Sequence, residues 1–365
     1  MIDKYNYTAQ RVLTNWIIFF IVSLTAYLLF CYLVTDFAYV NTTDKYAYQA
    51  AVAIALIAAL LTKSSLNLNE KLIYYIRLSV KCTLCYLLIY YSLSKLMGVM
   101  FTNSISELDA PLGAARPITL CWRFFGANWQ FMAIIAAGQL LAGIFLFSKK
   151  YQYFAAIAAF LLLAFIFVLD IFYITHLLIP VSMMLLLCLY LLTPVWSSIE
   201  NVLLNKKQVL PFAPALTFFN KKAKAINVVL IIFFISLSSF ISYQRTYKMI
   251  APYLRPTILF GGWKVKSALL LSDSSWSKLY FEEDNTCVIK LQNETLLYAT
   301  FSLDTIFKKI SIKDENSILV NSAYILQTDK LSFTKPGNDT VLLQKFTIPN
   351  LGIQKNMFNF FKNEK

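Results

Sequence analysis

The sequence predicts a polytopic α-helical membrane protein of about seven transmembrane helices, followed by a small carboxy-terminal antiparallel β domain. Of its 365 residues, 58% are hydrophobic and 14% are charged, whereas a soluble domain is about half apolar and about one quarter charged. Up to about residue 242 the apolar residues are gathered into long runs. After about residue 256 they form short runs that are separated by turn residues.

Seven apolar runs qualify as transmembrane helices, because a helix needs about 20 mostly apolar residues to cross the hydrocarbon core. The second run is short and rich in alanine, so a tilted or partly buried helix is the alternative there. In the third run, Arg77 and Lys81 are expected to extend to one interface. The runs are 16–34, 48–61, 72–97, 129–147, 154–169, 174–192 and 225–242.

The distribution of lysine and arginine between alternate loops predicts the orientation, since cytoplasmic loops carry the excess of positive charge. One side holds Lys45, Arg116 and Arg123. We therefore expect a cytoplasmic amino terminus and an extracytoplasmic segment after the seventh helix. The opposite, cytoplasmic side holds Lys4, Arg11, Lys63, Lys71, Arg77, Lys149, Lys150, Lys206, Lys207, Lys221, Lys222 and Lys224.

The segment after residue 256 predicts about eight short antiparallel strands, in a small barrel or a curled meander. A pocket for an apolar ligand inside the barrel and a plain structural cap are both open interpretations. The predicted strands are 261–271, 277–281, 286–292, 296–303, 309–312, 318–326, 330–333 and 340–348. The breakers between them include Pro336-Gly337-Asn338-Asp339.

The net charge of +14 does not indicate a nucleic-acid-binding protein, because no basic and aromatic module accompanies it. In a chain this apolar, loop lysines that meet anionic headgroups account for the charge. The six cysteines form no disulfide framework or zinc pattern. The first apolar run is too long for the core of a cleavable signal peptide.

Five polar residues among the apolar runs are the candidate ligand-binding residues, because ionisable groups at membrane depth are costly and mark functional sites. Lys95 either extends to the interface or is a cation that anchors an anionic substrate, a quinone head or a carboxylate partner such as Glu107, Asp109 or Asp170. Asp170 and the single histidine flank a short outer turn, where they either relay protons or form an interhelical hydrogen bond. The candidates are Lys95, Arg123, Gln139, Asp170 and His176.

Each candidate also has a structural interpretation. Gln139 lies about halfway along its helix, where an amide usually bonds to a neighbouring helix. Arg123 either holds an anion or contacts a headgroup. The Cys82-x-x-Cys85 pair is placed within an apolar helix, where little thiolate forms, so a redox role is not favoured. One histidine cannot supply paired axial ligands to a haem, and no metal site or catalytic residue is predicted.

From about residue 72 onward the chain resembles DoxX-like membrane proteins, in the long form with a β-rich carboxy-terminal domain. The order and spacing of several short motifs carry the resemblance. At Gln139 the family usually has a glutamate, so the resemblance does not extend to a proton-linked role there. The matching residues are Tyr91, Lys95 and Gly98; Trp122, Phe124, Phe125 and Gly126; His176; and the segment 260–271.

The resemblance implies a protein of the bacterial inner membrane with a four-helix core at residues 72–195. The convergence of the five candidate residues toward the outer half of this unit predicts an outward-facing polar cavity for a quinone, a lipid or a small anionic ligand. The resemblance further implies a quinone as the candidate cofactor and a role as membrane partner of a quinone- or thiol-linked redox system. The alternative is a non-enzymatic scaffold that recruits an envelope partner through residues 256–350. Residues 1–71 then carry additional helices, 196–255 a cytoplasmic loop, the seventh helix and an exit segment, and 351–365 a tail.

Overall fold

The computed structural model describes most of the chain from residue 70 onward. Helical residues are also found between 17 and 27, in the first predicted span. The second predicted span, 48–61, lies outside the described residues. The described ranges are 17–27 without 18 and 24; 70–203 without 112, 114, 175 and 176; and 221–347 without 255, 256, 268–275, 283, 284, 315, 316 and 335–339.

Helices account for the apolar part of the chain from residue 70 onward. Five of them coincide with the third to seventh predicted spans. Short 3₁₀ turns at Val99–Phe101 and Thr193–Val195 follow two of the helices. The helices are α1 (Glu70–Leu96), α2 (Ile105–Asp109), α3 (Pro117–Ala127), α4 (Trp129–Phe145), α5 (Gln152–Phe172), α6 (Leu178–Leu192), α7 (Trp196–Leu203) and α8 (Lys221–Leu254).

Four stretches of the described residues are long and apolar enough to cross a membrane. They are Ile73–Leu96, Gln152–Phe172, Leu178–Val195 and Val228–Ala251. The pair α3 and α4 is broken near Asn128, and counting it as one span raises the number to five. The described helices are therefore compatible with a multi-pass membrane protein, while the count of seven is not confirmed.

Contacts divide the chain into two compact units, and the division does not follow the sequence order. The helical unit contains residues 1–96 and 130–245, and the barrel unit contains residues 97–129 and 246–365. The predicted four-helix core at 72–195 thus includes a segment, 97–129, that groups with the β domain. In that segment Arg116 and Arg123 were expected in a loop, but residues 117–127 form helix α3, which begins with Pro117 at its first position.

Helices α1 and α4 pack closely and run antiparallel in the helical unit. The Ser92 hydroxyl on α1 donates to the Ala136 carbonyl on α4 at 2.8 Å. One to two turns away, a Cβ added to Gly143 would lie 3.3 Å from the Leu88 Cβ. Small residues on α4 therefore let the two backbones approach, as is typical of helices packed in a membrane.

The β domain is a closed barrel of eight antiparallel strands, each paired with its neighbours in sequence. The pairing of β1 with β8, for example Val265 with Leu343, closes the barrel. All eight predicted strands are confirmed. They are β1 (Gly261–Ser267), β2 (Trp276–Phe281), β3 (Thr286–Leu291), β4 (Leu296–Asp304), β5 (Lys309–Lys313), β6 (Ile318–Gln327), β7 (Lys330–Thr334) and β8 (Thr340–Phe346).

The interior of the barrel is filled by apolar side chains, which alternate with more exposed ones along β4 to β8, whereas β2 and β3 bury consecutive residues. Trp263, Phe281, Phe301 and Phe333 belong to one buried cluster, to which all eight strands contribute. An eight-stranded barrel is just wide enough for side chains to fill. This packing favours the structural interpretation of the barrel over that of a ligand-holding lumen.

The segment 97–129 covers part of the outer face of the barrel. The buried carboxylate of Glu282, just after β2, accepts hydrogen bonds from the backbone N–H of Ile105 at 2.8 and 2.9 Å and from that of Ser106 at 3.3 Å. Asp109 accepts hydrogen bonds from Lys278 at 2.5 Å and from the Tyr280 hydroxyl at 2.7 Å. These bonds fasten the segment to strand β2 and to the turn that follows it.

Candidate functional site

One face of α1 carries two lysines and a serine that contact neighbouring helices. Lys81, Cys85, Leu88, Ser92 and Lys95 follow one another at intervals of four and three residues, so they share one side of the helix. Gly143 and Ala136 of α4 contact this side. The face therefore lies against α4 along most of its length.

Lys95 is buried near the carboxyl end of α1, and it interacts electrostatically with Asp170 in the last turn of α5. Its ammonium group also lies 5.3 Å from the centre of the Tyr91 ring. Asp170 is 1% exposed, and among the described residues its Oδ2 atom has no hydrogen-bond partner. A buried cation and a buried carboxylate thus lie within electrostatic range of each other at one end of the helical unit.

Of the three carboxylates considered for Lys95, Asp170 is the one that interacts with it. Glu107 forms an ion pair with Arg116, and Asp109 forms one with Lys278. Both belong to the barrel unit.

Gln139 is completely buried on α4, at 0% exposure. Neither its amide oxygen nor its amide nitrogen has a hydrogen-bond partner among the described residues. The Ser92–Ala136 hydrogen bond shows that these two residues lie at the same depth along the antiparallel helices. Lys95 follows Ser92 by three residues and Gln139 follows Ala136 by three residues, so they lie on opposite sides of that depth. At 1.5 Å per residue, Gln139 is about 9 Å deeper along the helix axes than Lys95.

Arg123 belongs to the barrel unit, where its buried guanidinium donates to the Glu107 carbonyl. Its described contact therefore ties α3 to the segment around α2. His176 lies outside the described residues. The described contacts thus bring together Lys95 and Asp170, with Gln139 on a neighbouring helix, and they assign Arg123 to a different unit.

A second polar pair, which was not predicted from the sequence, lies nearer the other end of α1. The Lys81 ammonium group donates to the Gln152 side-chain oxygen at the start of α5, at 2.6 Å. Lys81 is expected to extend to the interface, and that expectation does not include its bond to the buried Gln152. The sequence does indicate that Lys81 and Lys95 share one face of α1, because they are fourteen residues apart and four turns of helix return a side chain to nearly the same face.

The chemical capacity of the site follows from three groups. Lys95 supplies a cation that donates hydrogen bonds, Asp170 supplies acceptor oxygens, and Gln139 supplies one donor group and one acceptor. No cluster of three or more histidine, cysteine, aspartate or glutamate residues that could hold a metal occurs in the described part of the chain. Cys82 and Cys85 on α1 are free thiols.

No family model, no curated protein and no solved structure matches this chain. The resemblance to DoxX-like proteins therefore rests on the motifs alone.

Proposed function

We propose that the helical unit binds a membrane-soluble ligand with a polar head and an apolar body, and that a quinone is the ligand class. The observation that carries this proposal is the amide of Gln139, which is fully buried between helices without a hydrogen-bond partner among the described residues. Burying such an amide unpaired costs about 1–3 kcal/mol. A ligand head that accepts a hydrogen bond from the amide nitrogen would offset part of this cost.

A quinone fits the donor set because its two carbonyl oxygens accept hydrogen bonds and its tail is apolar. The Gln139 amide and the Lys95 ammonium group would each donate to the quinone head, and Asp170 would balance the charge of Lys95. When bound, the quinone would supply a two-electron redox group. The protein would then act as the membrane partner of a quinone-linked redox system, as expected for a DoxX-like protein.

The membrane placement that accompanies this proposal has the barrel unit on the extracytoplasmic side. The segment 97–129 precedes α4 and is bonded to β2 and its turn, so both lie on one side of the membrane. An even number of crossings must therefore separate residue 129 from residue 246. Helices α5, α6 and α8 give three, and α4, the second helix of the broken pair, would supply the fourth.

The proposal is tested on the full-length protein, purified in lipid nanodiscs and extracted for mass spectrometry of bound quinones. A short-chain quinone is then titrated into the stripped protein by calorimetry. We expect a co-purifying quinone that is lost in Gln139→Leu and in Lys95→Leu. Thr83→Val is the matched control, because Thr83 is equally buried on α1 but bonds to the Ser79 carbonyl of its own helix.

Two results would refute the quinone assignment. One is the absence of any quinone from the extract together with no heat of binding on titration. The other is equal loss of quinone from Thr83→Val and Gln139→Leu, since this would reflect general damage to the helical unit.

A scaffold is the second candidate function, and the filled interior of the barrel favours it. A barrel without a lumen would act through its surface, where Ile325 on β6 and Leu342 on β8 are exposed apolar side chains. A photo-crosslinking residue in place of Ile325 would capture a discrete envelope protein in intact cells. A crosslink to lipid alone would exclude this function for that face.

A further inference from the structure

An apolar hairpin tip projects from one end of the barrel. Between β4 and β5, Ile306 is 84% exposed and Phe307 is 72% exposed. Large apolar side chains held this far into water are unfavourable. Nothing in the barrel core requires them at this place, because the interior of β4 and β5 is already occupied by residues such as Phe301 and Ile310.

The turn holds these two side chains outward in a defined conformation. Asp304 Oδ1 accepts hydrogen bonds from the backbone N–H of Ile306 and of Phe307, each at 2.9 Å. Lys308 adopts a left-handed conformation with φ of 50°, and its carbonyl accepts from the Tyr324 N–H on β6 at 2.8 Å. The tip is therefore preorganised.

The tip lies at the end of the barrel where the chain enters from helix α8. In a closed antiparallel barrel, alternate hairpins lie at opposite ends, so the start of β1 is level with the turn between β4 and β5. Six residues separate Leu254, the last residue of α8, from Gly261, the first of β1. Even fully extended, this connection spans about 25 Å at most. The tip therefore belongs to the end of the barrel that is tethered to the membrane helix.

The charge of this hairpin differs from that of the β3–β4 turn at the opposite end, while the other turns at the tip's own end carry the acidic residues Glu282 and Asp329. Exposed Lys308 and Lys309 follow the apolar pair directly. At the opposite end, the turn between β3 and β4 presents Gln292, Asn293 and Glu294. An apolar pair beside lysines is typical of segments that lie in the membrane interface, with their apolar groups among the acyl chains and their cations at the phosphates.

We propose that the β4–β5 hairpin is a second membrane anchor. Ile306 and Phe307 insert into the interface of the bilayer that α8 crosses, and Lys308 and Lys309 contact lipid phosphates. A lipid surface is favoured over a protein partner because two projecting side chains are far smaller than a specific protein interface of about 1,000 Å² or more. They suffice where a covalent tether keeps the local lipid concentration high. This proposal rests on the membrane placement above, but not on the quinone site.

The test places an environment-sensitive fluorophore on Ile306→Cys in the full-length protein, in nanodiscs that contain anionic and zwitterionic lipids. A spin-labelled lipid and aqueous iodide serve as the two quenchers. Gln292→Cys is the matched control at the opposite end of the barrel, and Phe240→Cys reports the exposed apolar face of α8. Unsubstituted protein that has been through the same labelling gives the background from the native cysteines.

We expect the label at 306 to be quenched several-fold more by the spin-labelled lipid than the label at 292, and several-fold less by iodide. Adding Phe307→Ser should reduce the lipid quenching at 306, while Cys287 in the barrel core stays protected from thiol reagents. Lys308→Gln with Lys309→Gln should weaken the lipid quenching more in anionic than in zwitterionic nanodiscs.

Equal iodide quenching at 306 and 292 would overturn the proposal. Protection of 306 in native membranes, but not in nanodiscs of pure lipid, would also overturn it and would assign the tip to a protein partner. The label at 240 distinguishes a failure of the anchor proposal from an incorrect membrane placement. If 240 is quenched by lipid and 306 is not, only the anchor fails, whereas iodide quenching at 240 would overturn the placement itself.

Discussion

The strands of the barrel and the helices of the helical unit differ in whether their buried polar atoms have hydrogen-bond partners. No residue of the described strands has a buried side-chain nitrogen or oxygen that lacks a partner. Where the barrel buries a polar atom, as in the Trp263 indole, that atom is bonded: its N–H donates to the Leu259 carbonyl at 2.7 Å. In the helical unit, Gln139 and Asp170 retain buried polar atoms without such partners among the described residues.

This difference indicates that the two parts of the molecule have different roles. A core that satisfies every buried polar group is optimised for stability, whereas proteins depart from this rule mainly at functional sites. The strands therefore provide rigidity and a surface, and the helical unit carries the site; in the barrel unit, the described buried atoms without partners lie outside the strands, as on Thr119 and Arg123. The predictions below test this contrast by removing buried groups from each unit in turn.

Trp263→Ala should have the largest effect, because Trp263 is one of the largest fully buried side chains in the barrel. The cavity and the lost burial cost about 3–5 kcal/mol of the free energy of unfolding. Cys287 reports the barrel separately, since burial, and secondarily the charge of Glu282, raises the pKa of its thiol and keeps it unreactive in the fold. Maleimide labelling along a temperature ramp, read by peptide mass spectrometry, should show Cys287 reacting at lower temperature.

Cys188, which is buried in α6, is the control for this variant. Its labelling should shift much less than that of Cys287. Equal shifts of both cysteines would contradict the assignment of two separate compact units.

Asp170→Leu should cause the second-largest loss of stability. It leaves the buried charge of Lys95 without its carboxylate, and breaking a buried pair on one side typically costs about 3 kcal/mol or more. The double variant Lys95→Leu, Asp170→Leu should recover most of the loss, because no charge then remains to be buried. Cys188 labelling on the temperature ramp measures both effects, and a double variant less stable than Asp170→Leu would rule out the pairing.

Much of the fold could be predicted because each helix and strand is marked by the apolar pattern of its own segment. Each strand of the barrel has its own run of apolar residues between breakers, and neighbours in sequence are neighbours in the barrel, so local pattern and topology agree. The grouping of residues 97–129 with the barrel could not be predicted in this way. It depends on contacts such as that between Glu282 and Ile105, which are 177 residues apart and leave no periodic signal.

The candidate site could be predicted only as a set of residue types. Membrane-depth lysine, aspartate and glutamine are conspicuous in apolar runs, and this identified Lys95, Gln139 and Asp170. Their grouping depends on which helices pack together, which is decided by glycine and alanine positions on α4 rather than by the polar residues. Arg123 met the same compositional criterion, yet its contact is with the Glu107 carbonyl in the barrel unit.

Glu282→Gln should have a moderate effect. The carboxylate accepts from the N–H groups of Ile105 and Ser106, and a carboxamide turns one acceptor into a donor that faces them. We expect a loss of about 1–2 kcal/mol, together with faster hydrogen exchange at these two amides. Glu294→Gln is the control, because Glu294 is largely exposed and forms an ion pair with Lys290 across the β3–β4 turn, an arrangement worth little.

Gln139→Leu should have the smallest effect on stability, and the opposite sign. Leucine has a similar volume and removes two buried polar atoms that have no described partner, so the helical unit should keep its stability or gain up to about 1 kcal/mol. The Cys188 labelling temperature on the ramp should therefore stay constant or rise, even though quinone binding is lost. A fall comparable to that for Asp170→Leu would mean that Gln139 is a structural interhelical hydrogen bond, and the contrast between the two units would then disappear at its central residue.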